Sequence, residues 1–263
     1  MTTSAQRLTE AFATKAFIAF ITGGDPSLGD TRRYVNLLAE AGAAIVEIGV
    51  PFSDPIAEGP TIQQASYRAL AAGTTAEDLL ELVRTLREED QLNIPLVLMT
   101  YLNPVHHYGY EAFFARASEV GLDGVIIPDL PFEEHGEVRE VAAASGVALI
   151  SMIAPTSSTR IRAIAEQAQG FIYLVSSLGV TGVRSQITTD IAHIVGEIRS
   201  VTDVPVAVGF GISTPEQAAR MAEQADGVIV GSAIVNLVGA LNSHADEAIS
   251  QFVARMVQGL RQV

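Results

Sequence analysis

The feature that most constrains the fold is a series of eight short apolar segments, spaced fairly evenly along the chain. They are almost continuously apolar rather than alternating, which is typical of parallel strands covered on both faces. The segments are AFIAFI (16–21), AIVEIGV (44–50), PLVLMTY (95–101), GVIIPD (124–129), VALISMIA (147–154), FIYLVSS (171–177), PVAVGFGI (205–212) and GVIVGS (227–232).

Between these segments lie stretches with apolar residues at the three-to-four spacing of a helix, several of which end in a glycine that would serve as a C-cap. The stretches are TRRYVNLLAEAG, AEDLLELVRTLREE, YEAFFARASEVG, EEHGEVREVAAASG, STRIRAIAEQAQG, TTDIAHIVGEIRSV and TPEQAARMAEQADG. Eight strands alternating with helices predict a (β/α)8 TIM barrel, with a doubly wound open sheet as the alternative. In such barrels the chemistry collects where the strands end and the following loops begin.

No low-complexity linker or change in composition divides the 263 residues, so we expect one domain over residues 1–263. The last stretch, HADEAISQFVARMVQGLRQV, predicts a closing amphipathic helix. We also expect an extra N-terminal helix and a short phosphate-binding helix around the barrel.

Charge and composition exclude several classes of function. A net charge of −14 argues against nucleic acid as a partner, because a phosphate backbone requires a basic surface. The absence of cysteine excludes disulfides, thiolate metal sites and a cysteine nucleophile. The N-terminus lacks the pattern of a secretion signal and the apolar runs are too short to span a bilayer. We therefore expect a soluble, cytoplasmic protein.

Small residues follow each of the last three strands, in LGVTGV (178–183), GFGIS (209–213) and GSAIV (231–235). Such turns let backbone N–H groups approach an anion, and phosphate commonly binds after the last two strands of these barrels. GSAIVNLV also predicts a short helix whose N-terminus would face the phosphate, with Ser232 adding a hydroxyl. Each turn alone could be no more than a tight connection. The sequence contains neither a P-loop nor a complete dinucleotide fingerprint.

Glu47 is the first candidate catalytic residue. In AIVEIGV it alternates with Val46 and Ile48, so it points into the barrel if those two pack outward against helices. A carboxyl group buried there has a raised pKa and is suited to proton transfer. The alternative is a structural glutamate held by a neighbouring hydroxyl.

Other polar residues near the strand ends allow a functional or a structural interpretation. Glu58 lies in the loop PFSDPIAEGPTIQ, where a glutamate is usually solvated, and Asp54 in the same loop could cap a turn or contact a partner. Asp129 ends the fourth strand and could be a helix cap or a site residue. His106 and His107 are adjacent, and adjacent residues rarely share a metal ion. We expect no metal site.

Several motifs together resemble one family. VEIGVPFSDPIAEGPTIQ, MTYLNPVHHYGYEAF, GVIIPDLPFEE, YLVSSLGVTGVRS and VGFGIST with GSAIV resemble successive motifs of the tryptophan synthase alpha subunit, in order and at the family's spacing. The resemblance runs from about Phe17 to the end of the eighth strand, and EIGVPFSDP and GVTG are highly specific.

The resemblance implies a (β/α)8 barrel that cleaves indole-3-glycerol phosphate to indole and glyceraldehyde 3-phosphate. It implies no cofactor in this chain and an α2β2 complex with a beta subunit, which uses pyridoxal phosphate to join indole to serine. Glu47 matches the general acid-base that protonates C3 of the indole. Glu58 matches the second carboxylate, which stabilises positive charge on the indole N–H. The family normally has aspartate at this position, in ADG rather than AEG.

The resemblance also assigns binding residues. Phosphate contacts fall at Gly182, Gly211, Gly231 and Ser232, with Phe210 beside them. The indole pocket is expected to be lined by Phe20, Ile62, Met99, Ile126 and Tyr173. Thr181 belongs to a loop that closes over the substrate, and Asp129 contacts the substrate or the partner side. Residues on the face that docks the beta subunit are Pro51, Phe52, Ser53, Asp54, Pro55, Asn103 and Pro104.

Glu58 leaves a different class of function open, namely a weakly catalytic or non-catalytic partner that activates a beta subunit. A stand-alone lyase that releases indole is a second alternative. Another phosphosugar barrel enzyme, such as an epimerase, would need metal ligands or a further acid at a strand end, and the sequence offers neither.

Overall fold

The computed structural model describes residues 4–176, 190–209 and 211–263, and a strand forms in each of the eight apolar segments. The fifth segment holds two short strands on either side of Ile150. The strands are β1 (Ala16–Thr22), β2 (Ile45–Gly49), β3 (Leu96–Met99), β4 (Gly124–Ile126), β5 (Ala148–Leu149), β6 (Ser151–Ile153), β7 (Ile172–Val175), β8 (Val206–Gly209) and β9 (Gly227–Val230).

The strands form one parallel sheet in the order β5-β4-β3-β2-β1-β9-β8-β7-β6. At its two ends β5 pairs with β4 and β6 pairs with β7, and these end strands belong to the same segment of chain. The sheet therefore closes on itself through Ile150. This closure confirms the predicted barrel and excludes the doubly wound alternative.

Helices surround the sheet, and every stretch predicted to be helical contains one. Two helices, α3 and α5, were not predicted. The helices are α1 (Ser4–Ala11), α2 (Leu28–Glu40), α3 (Pro60–Ala71), α4 (Ala76–Glu88), α5 (Leu102–Tyr108), α6 (Tyr110–Glu119), α7 (Gly136–Ser145), α8 (Ile161–Glu166), α9 (Ile191–Arg199), α10 (Pro215–Ala222), α11 (Ser232–Leu241) and α12 (Asp246–Leu260). None of the helices in the described ranges is long and apolar enough to cross a bilayer.

Alternation along the strands separates two layers of core. On β2, Val46 and Ile48 pack outward in the cluster that includes residues of the surrounding helices. Ile45 belongs to the cluster inside the barrel. Because successive side chains point to opposite faces of a strand, Glu47 faces the interior with Ile45. The fold thus directs this glutamate into the barrel.

Two helices begin directly beside the carboxyl ends of strands. Helix α3 follows the loop after β2 and starts at Pro60, where the missing N–H of proline leaves no hydrogen bond unmade. Helix α11 starts at Ser232, immediately after Gly231 and the end of β9, as predicted. The two helices pack against each other and against β1. Their first residues therefore meet at one end of the barrel.

Candidate active site

A largely apolar cavity opens at the end of the barrel where the strands terminate. Strand residues and the segments that follow β2, β4, β8 and β9 share its wall. The lining residues are Phe20, Glu47, Ala57, Glu58, Ile62, Met99, Pro128, Met152, Tyr173, Gly211, Ile212, Ile229, Gly231 and Ser232.

The structure brings together nine of the residues singled out in the sequence. Both glutamates, four residues assigned to the indole pocket and three assigned to the phosphate line the same cavity. They are Glu47, Glu58, Phe20, Ile62, Met99, Tyr173, Gly211, Gly231 and Ser232. Thr181, Gly182 and Phe210 lie outside the described residues.

Two residues assigned to the site do not line this cavity. Ile126 faces the barrel interior in the same cluster as Met99 and Tyr173, but it is fully buried and does not reach the cavity wall. The Asp129 carboxylate accepts a hydrogen bond of 2.8 Å from the backbone N–H of Leu102, the first residue of α5. Asp129 therefore caps α5, the helix that follows β3, although Asp129 itself follows β4.

Glu47 is buried without compensation. Its side chain lies at the cavity with only 1% of its surface exposed, and neither carboxylate oxygen has a hydrogen-bond partner among the described residues. Burial, with a smaller contribution from the charge of Glu58, raises the pKa of Glu47 to about 8. At neutral pH this carboxyl group therefore holds a proton. The hydroxyl that would make it a structural glutamate is absent from the described part of the chain.

Glu58 is also buried, but it has partners. The hydroxyl of Tyr101 donates a hydrogen bond to Oε2 of Glu58. Burial raises the pKa of Glu58, and the hydrogen bond from Tyr101 opposes that rise because it favours the ionised form. The two carboxyl groups of the cavity therefore have different environments, and only Glu58 has a donor that stabilises its charge.

Glycines make room for the two aromatic rings of the cavity. A Cβ atom on Gly49 would lie 2.7 Å from Cζ of Phe20, and one on Gly209 would lie 2.5 Å from the hydroxyl oxygen of Tyr173. Both distances are shorter than non-bonded contacts allow, so a larger residue at either position would clash with the ring unless the ring moved. Each ring therefore occupies the space that its neighbouring strand leaves open inside the barrel.

Two of the three glycine turns reach the same cavity. Gly211 follows β8 with a positive φ of 81°, a conformation that glycine adopts without strain. Gly231 and Ser232 follow β9 at the N-terminus of α11, where helix amides have no partner within the helix. The turn at residues 178–183 lies outside the described residues.

Sequence reasoning missed five lining residues and two helices. Met152 and Ile229 lie within predicted strands, where the alternation of side chains could have identified them as facing the barrel interior. Pro128 and Ile212 belong to predicted strand segments but follow the ends of β4 and β8, and Ala57 lies in the loop after β2, so strand alternation does not describe these three. The lining residues missed were Ala57, Pro128, Met152, Ile212 and Ile229. Of the two helices missed, α3 could have been found from Pro60 and the 3–4 spacing of its buried residues.

A second cavity, of about 980 Å³, lies at the opposite end of the barrel against α1. Its wall contains Asp123 and Asp226, and both carboxylates are already bonded to arginine side chains. The described part of the chain contains no group of three histidine or acidic residues arranged to hold a metal ion. The smaller cavity with the two glutamates is thus the candidate active site.

The stretches expected to dock a partner lie near the surface at the same end. Ser53, Asp54 and Asn103 are exposed, whereas Phe52, Pro55 and Pro104 are half-buried and Pro51 is buried. Ile56, which the sequence did not single out, is 75% exposed in the same loop.

Comparison with known proteins decides the family. The family model described as tryptophan synthase alpha chain matches residues 7–262. The tryptophan synthase alpha chain of Lactiplantibacillus plantarum is 51% identical over 94% of this chain and 92% of its own length. That of Geobacter sulfurreducens is 51% identical over 94% of this chain and 92% of its own. This chain belongs to the tryptophan synthase alpha chain family.

Solved structures of tryptophan synthase have the same fold. The alpha subunit from Legionella pneumophila superposes with a TM-score of 0.85 at 34% identity, covering 98% of this chain and 99% of its own. A chain of tryptophan synthase from Mycobacterium tuberculosis gives a TM-score of 0.87 at 34% identity, covering 97% and 98%. The resemblance found in the sequence motifs and the barrel fold are both confirmed.

Proposed function

We propose that this chain cleaves indole-3-glycerol phosphate to indole and glyceraldehyde 3-phosphate, as the alpha subunit of a tryptophan synthase in tryptophan biosynthesis. The observation that carries the proposal is the pairing of two buried carboxyl groups in one apolar cavity, only one of which has a donor for its charge. Membership of the tryptophan synthase alpha chain family supports the reaction.

The reaction is a retro-aldol cleavage that needs two proton transfers. A proton is added to C3 of the indole ring, which places positive charge on the ring nitrogen. The hydroxyl on the adjacent side-chain carbon then loses its proton and becomes the aldehyde of glyceraldehyde 3-phosphate. The electrons of the broken carbon–carbon bond return to the ring and neutralise the nitrogen. No water, oxidant or reductant is consumed.

Glu47 has the properties of the proton donor. A group with a pKa of about 8 is protonated at pH 7 and can still give up its proton, which is the condition for efficient general acid catalysis. The absence of other partners leaves its carboxyl group available to the substrate. After donation, the carboxylate can recover a proton from the side-chain hydroxyl that becomes the aldehyde.

Glu58 has the properties of the second carboxylate. The donor hydroxyl of Tyr101 favours its ionised form, and a negative charge at the cavity wall stabilises the positive charge that grows on the indole nitrogen. The extra methylene relative to aspartate does not remove the side chain from the cavity. The alternative of a non-catalytic partner is therefore not favoured.

The remaining lining residues suit the two ends of the substrate. Phe20, Ile62, Met99 and Tyr173 offer an apolar surface to a flat aromatic ring. Gly211, Gly231 and the N-terminus of α11 at Ser232 offer amides to the phosphate. By resemblance, Gly182 and Phe210 would extend the phosphate site, and Thr181 would belong to the loop that closes over the substrate.

The partner is a beta subunit in an α2β2 complex, to which the indole passes. The exposed side chains of Ser53, Asp54 and Asn103 at the cavity end support that docking face. This chain needs no cofactor of its own in the proposed mechanism, and pyridoxal phosphate belongs to the beta subunit. The single domain over residues 1–263 and the cytoplasmic location stay predictions.

Indole release from indole-3-glycerol phosphate tests the proposal, measured with the chain alone and with a tryptophan synthase beta subunit added. We expect release in both cases and a faster rate in the complex. Release only by the chain alone, with no co-elution of the two chains, would indicate a stand-alone lyase. No release in either case would exclude the lyase activity and restore the non-catalytic alternative.

A further inference from the structure

We propose that Tyr101 is a positioning residue, which orients the Glu58 side chain through its hydroxyl and keeps it ionised for the reaction. The inference rests on the proposed function and extends it to a residue that does not line the cavity. It starts from the observation that a tyrosine hydroxyl, buried behind the active site, bonds to one of the two catalytic carboxyl groups.

The hydroxyl of Tyr101 is fixed from two sides. It donates its hydrogen to Oε2 of Glu58 and accepts a hydrogen bond of 2.8 Å from the backbone N–H of Ala57. Because Ala57 precedes Glu58 in the chain, the tyrosine holds the backbone and the carboxylate of the same segment. Only one proton is available on the hydroxyl, and the Ala57 amide directs it toward the carboxylate.

Packing fixes the tyrosine ring as well. Tyr101 is 3% exposed and stacks on Phe52, with the ring centroids 4.9 Å apart and the planes inclined by 23°. Phe52 and Glu58 lie at opposite ends of the loop after β2. Tyr101 thus binds both ends of that loop from the end of β3. Its position is held in turn by Asp129, whose carboxylate caps the next residue, Leu102.

The electrostatic surroundings show why a donor is needed. Among the described residues, the titratable groups that interact with Glu58 include Glu47, Asp129 and the hydroxyls of Tyr101 and Tyr173. Burial and the charge of Asp129 both raise the pKa of Glu58 and so favour its neutral form. The hydrogen bond from Tyr101 is the largest effect in the opposite direction.

The length of the side chain makes this orientation matter. Glutamate has one more rotatable bond than aspartate, so its carboxylate can occupy more positions unless a neighbour fixes it. The hydrogen bond from Tyr101 to Oε2 fixes one oxygen of this longer side chain. We therefore infer that Tyr101 allows a glutamate to serve where the family normally has an aspartate.

The variant Tyr101→Phe tests the inference, because it removes the hydroxyl and keeps the ring on Phe52. The pH dependence of kcat/KM for indole release is measured for the wild type and the variant. We expect the acid limb to move to higher pH and kcat/KM on that limb to fall by about tenfold or more, since a hydrogen bond to a charged group is lost. The two profiles should converge as the pH rises.

Tyr34→Phe provides the matched control. Tyr34 is a buried tyrosine on α2 whose hydroxyl donates to the backbone carbonyl of Asn242, and neither residue lines the cavity. Its removal should lower the melting temperature without moving either limb of the pH profile. A Tyr101→Phe variant that lowered the melting temperature and left the profile in place would show a merely structural role and overturn the inference.

A readout independent of catalysis separates this inference from the proposed function. The side-chain carboxyl carbon of Glu58 can be titrated by NMR in chain labelled with ¹³C-glutamate, with Glu58→Gln assigning the signal. We expect the midpoint to be higher in Tyr101→Phe than in the wild type. An unchanged midpoint refutes the role of Tyr101 even if indole is released, whereas a raised midpoint in a chain that releases no indole refutes the lyase activity alone.

Discussion

Two buried carboxyl groups at opposite ends of the barrel differ in their hydrogen-bond partners. Glu47 near the end of β2 is 1% exposed and Asp123 just before β4 is 0% exposed. Asp123 accepts hydrogen bonds from Arg7 at 2.8 Å, from Arg87 at 2.5 Å and from the backbone N–H of Leu96 at 2.8 Å. Neither oxygen of Glu47 has a partner among the described residues.

The same arrangement recurs at the N-terminal end of the barrel. Asp226 precedes β9, accepts the N–H of Val206 at 2.9 Å and pairs with Arg199 at 2.8 Å. In both cases an aspartate just before one strand accepts a hydrogen bond from the first residue of the preceding strand. The same aspartate also pairs with an arginine. These carboxylates join elements of structure, so at this end the polar groups serve stability.

At the other end, two polar side chains are buried without a hydrogen-bond partner among the described residues. Besides Glu47, the hydroxyl of Thr22 lacks a hydrogen-bond partner within the described ranges, and Thr22 pairs with Gly49 at the carboxyl ends of β1 and β2. A buried polar group without a partner costs free energy. Where a fold tolerates such groups beside a cavity, we expect the substrate to supply what is missing.

Glu47→Gln should produce the largest effect on activity. The amide fills the same space but cannot donate a proton to C3 of the indole, so we expect kcat to fall by about 10²- to 10⁴-fold. Indole-3-propanol phosphate, which lacks the hydroxyl that must lose its proton, should bind with nearly unchanged Kd. The measurements are indole release and calorimetric titration with that analogue.

The control is Glu40→Gln, which makes the same chemical change at an exposed position near the end of α2. It should retain the wild-type kcat. A Glu47→Gln variant that turned over near the wild-type rate would show that another group supplies the proton.

Asp123→Asn should produce the largest loss of stability with little loss of activity. Removing the charge leaves Arg7 and Arg87 unpaired at a buried site, and breaking a buried ion pair costs about 3–5 kcal/mol. Urea unfolding measures the loss. The kcat for indole release should remain within about twofold of the wild type, because Asp123 lies at the opposite end of the barrel.

Asp226→Asn is the matched comparison, because Asp226 also pairs with one arginine and one strand amide. Its carboxylate and the guanidinium of Arg199 are both partly exposed. We expect a loss of about 1 kcal/mol or less. Equal losses of unfolding free energy in the two variants would contradict the view that burial makes the Asp123 ion pairs contribute more to stability than the Asp226 pair.

The barrel and the Glu47 side of this contrast could be predicted from the sequence, because strands buried on both faces produce long apolar runs. Alternation placed Glu47 on the face of the strand opposite to Val46 and Ile48, and its inward direction depended on those two packing outward, as they do. The division of the fifth segment at Ile150 could not be predicted, since its two halves have the same apolar pattern and differ only in the strand they pair with.

The partners of the polar residues were beyond sequence reasoning. Nothing in the pattern around Tyr101 indicates that its hydroxyl reaches Glu58, 43 positions earlier in the chain. Asp129 left two interpretations open, and the contact with Leu102 came from the neighbouring strand rather than from its own. Contacts of this kind depend on loop paths, which periodicity does not describe.

The pH dependence of stability should also distinguish Glu47 from an ordinary glutamate. Its pKa is about 8 in the folded chain against an ordinary value of 4.5, so its contribution to stability is fully present below pH 4.5 and is lost as the pH rises through 8. Glutamine does not titrate. The free energy of unfolding of Glu47→Gln should therefore rise relative to the wild type by about 3 kcal/mol between pH 4.5 and pH 7.

Urea unfolding at a series of pH values measures this difference. The contributions of the other carboxyl groups to the pH dependence largely cancel, because these groups titrate in both proteins. The exposed variant Glu40→Gln should follow the wild type at every pH. A constant difference between Glu47→Gln and the wild type would mean that Glu47 is solvated or paired in the folded chain.

Glu58→Asp should have the smallest effect and the most informative sign. It restores the family's usual residue in an otherwise similar loop, so we expect kcat/KM for indole release to stay within about threefold of the wild type or to rise. That expectation requires the backbone at Ala57 to shift, so that the shorter side chain keeps its hydrogen bond from the Tyr101 hydroxyl. A fall of about a hundredfold would therefore show that the loop and Tyr101 are built around the longer side chain. In that event the double variant Glu58→Asp, Tyr101→Phe should lose no more activity than Glu58→Asp alone, because the hydroxyl would already have lost its partner.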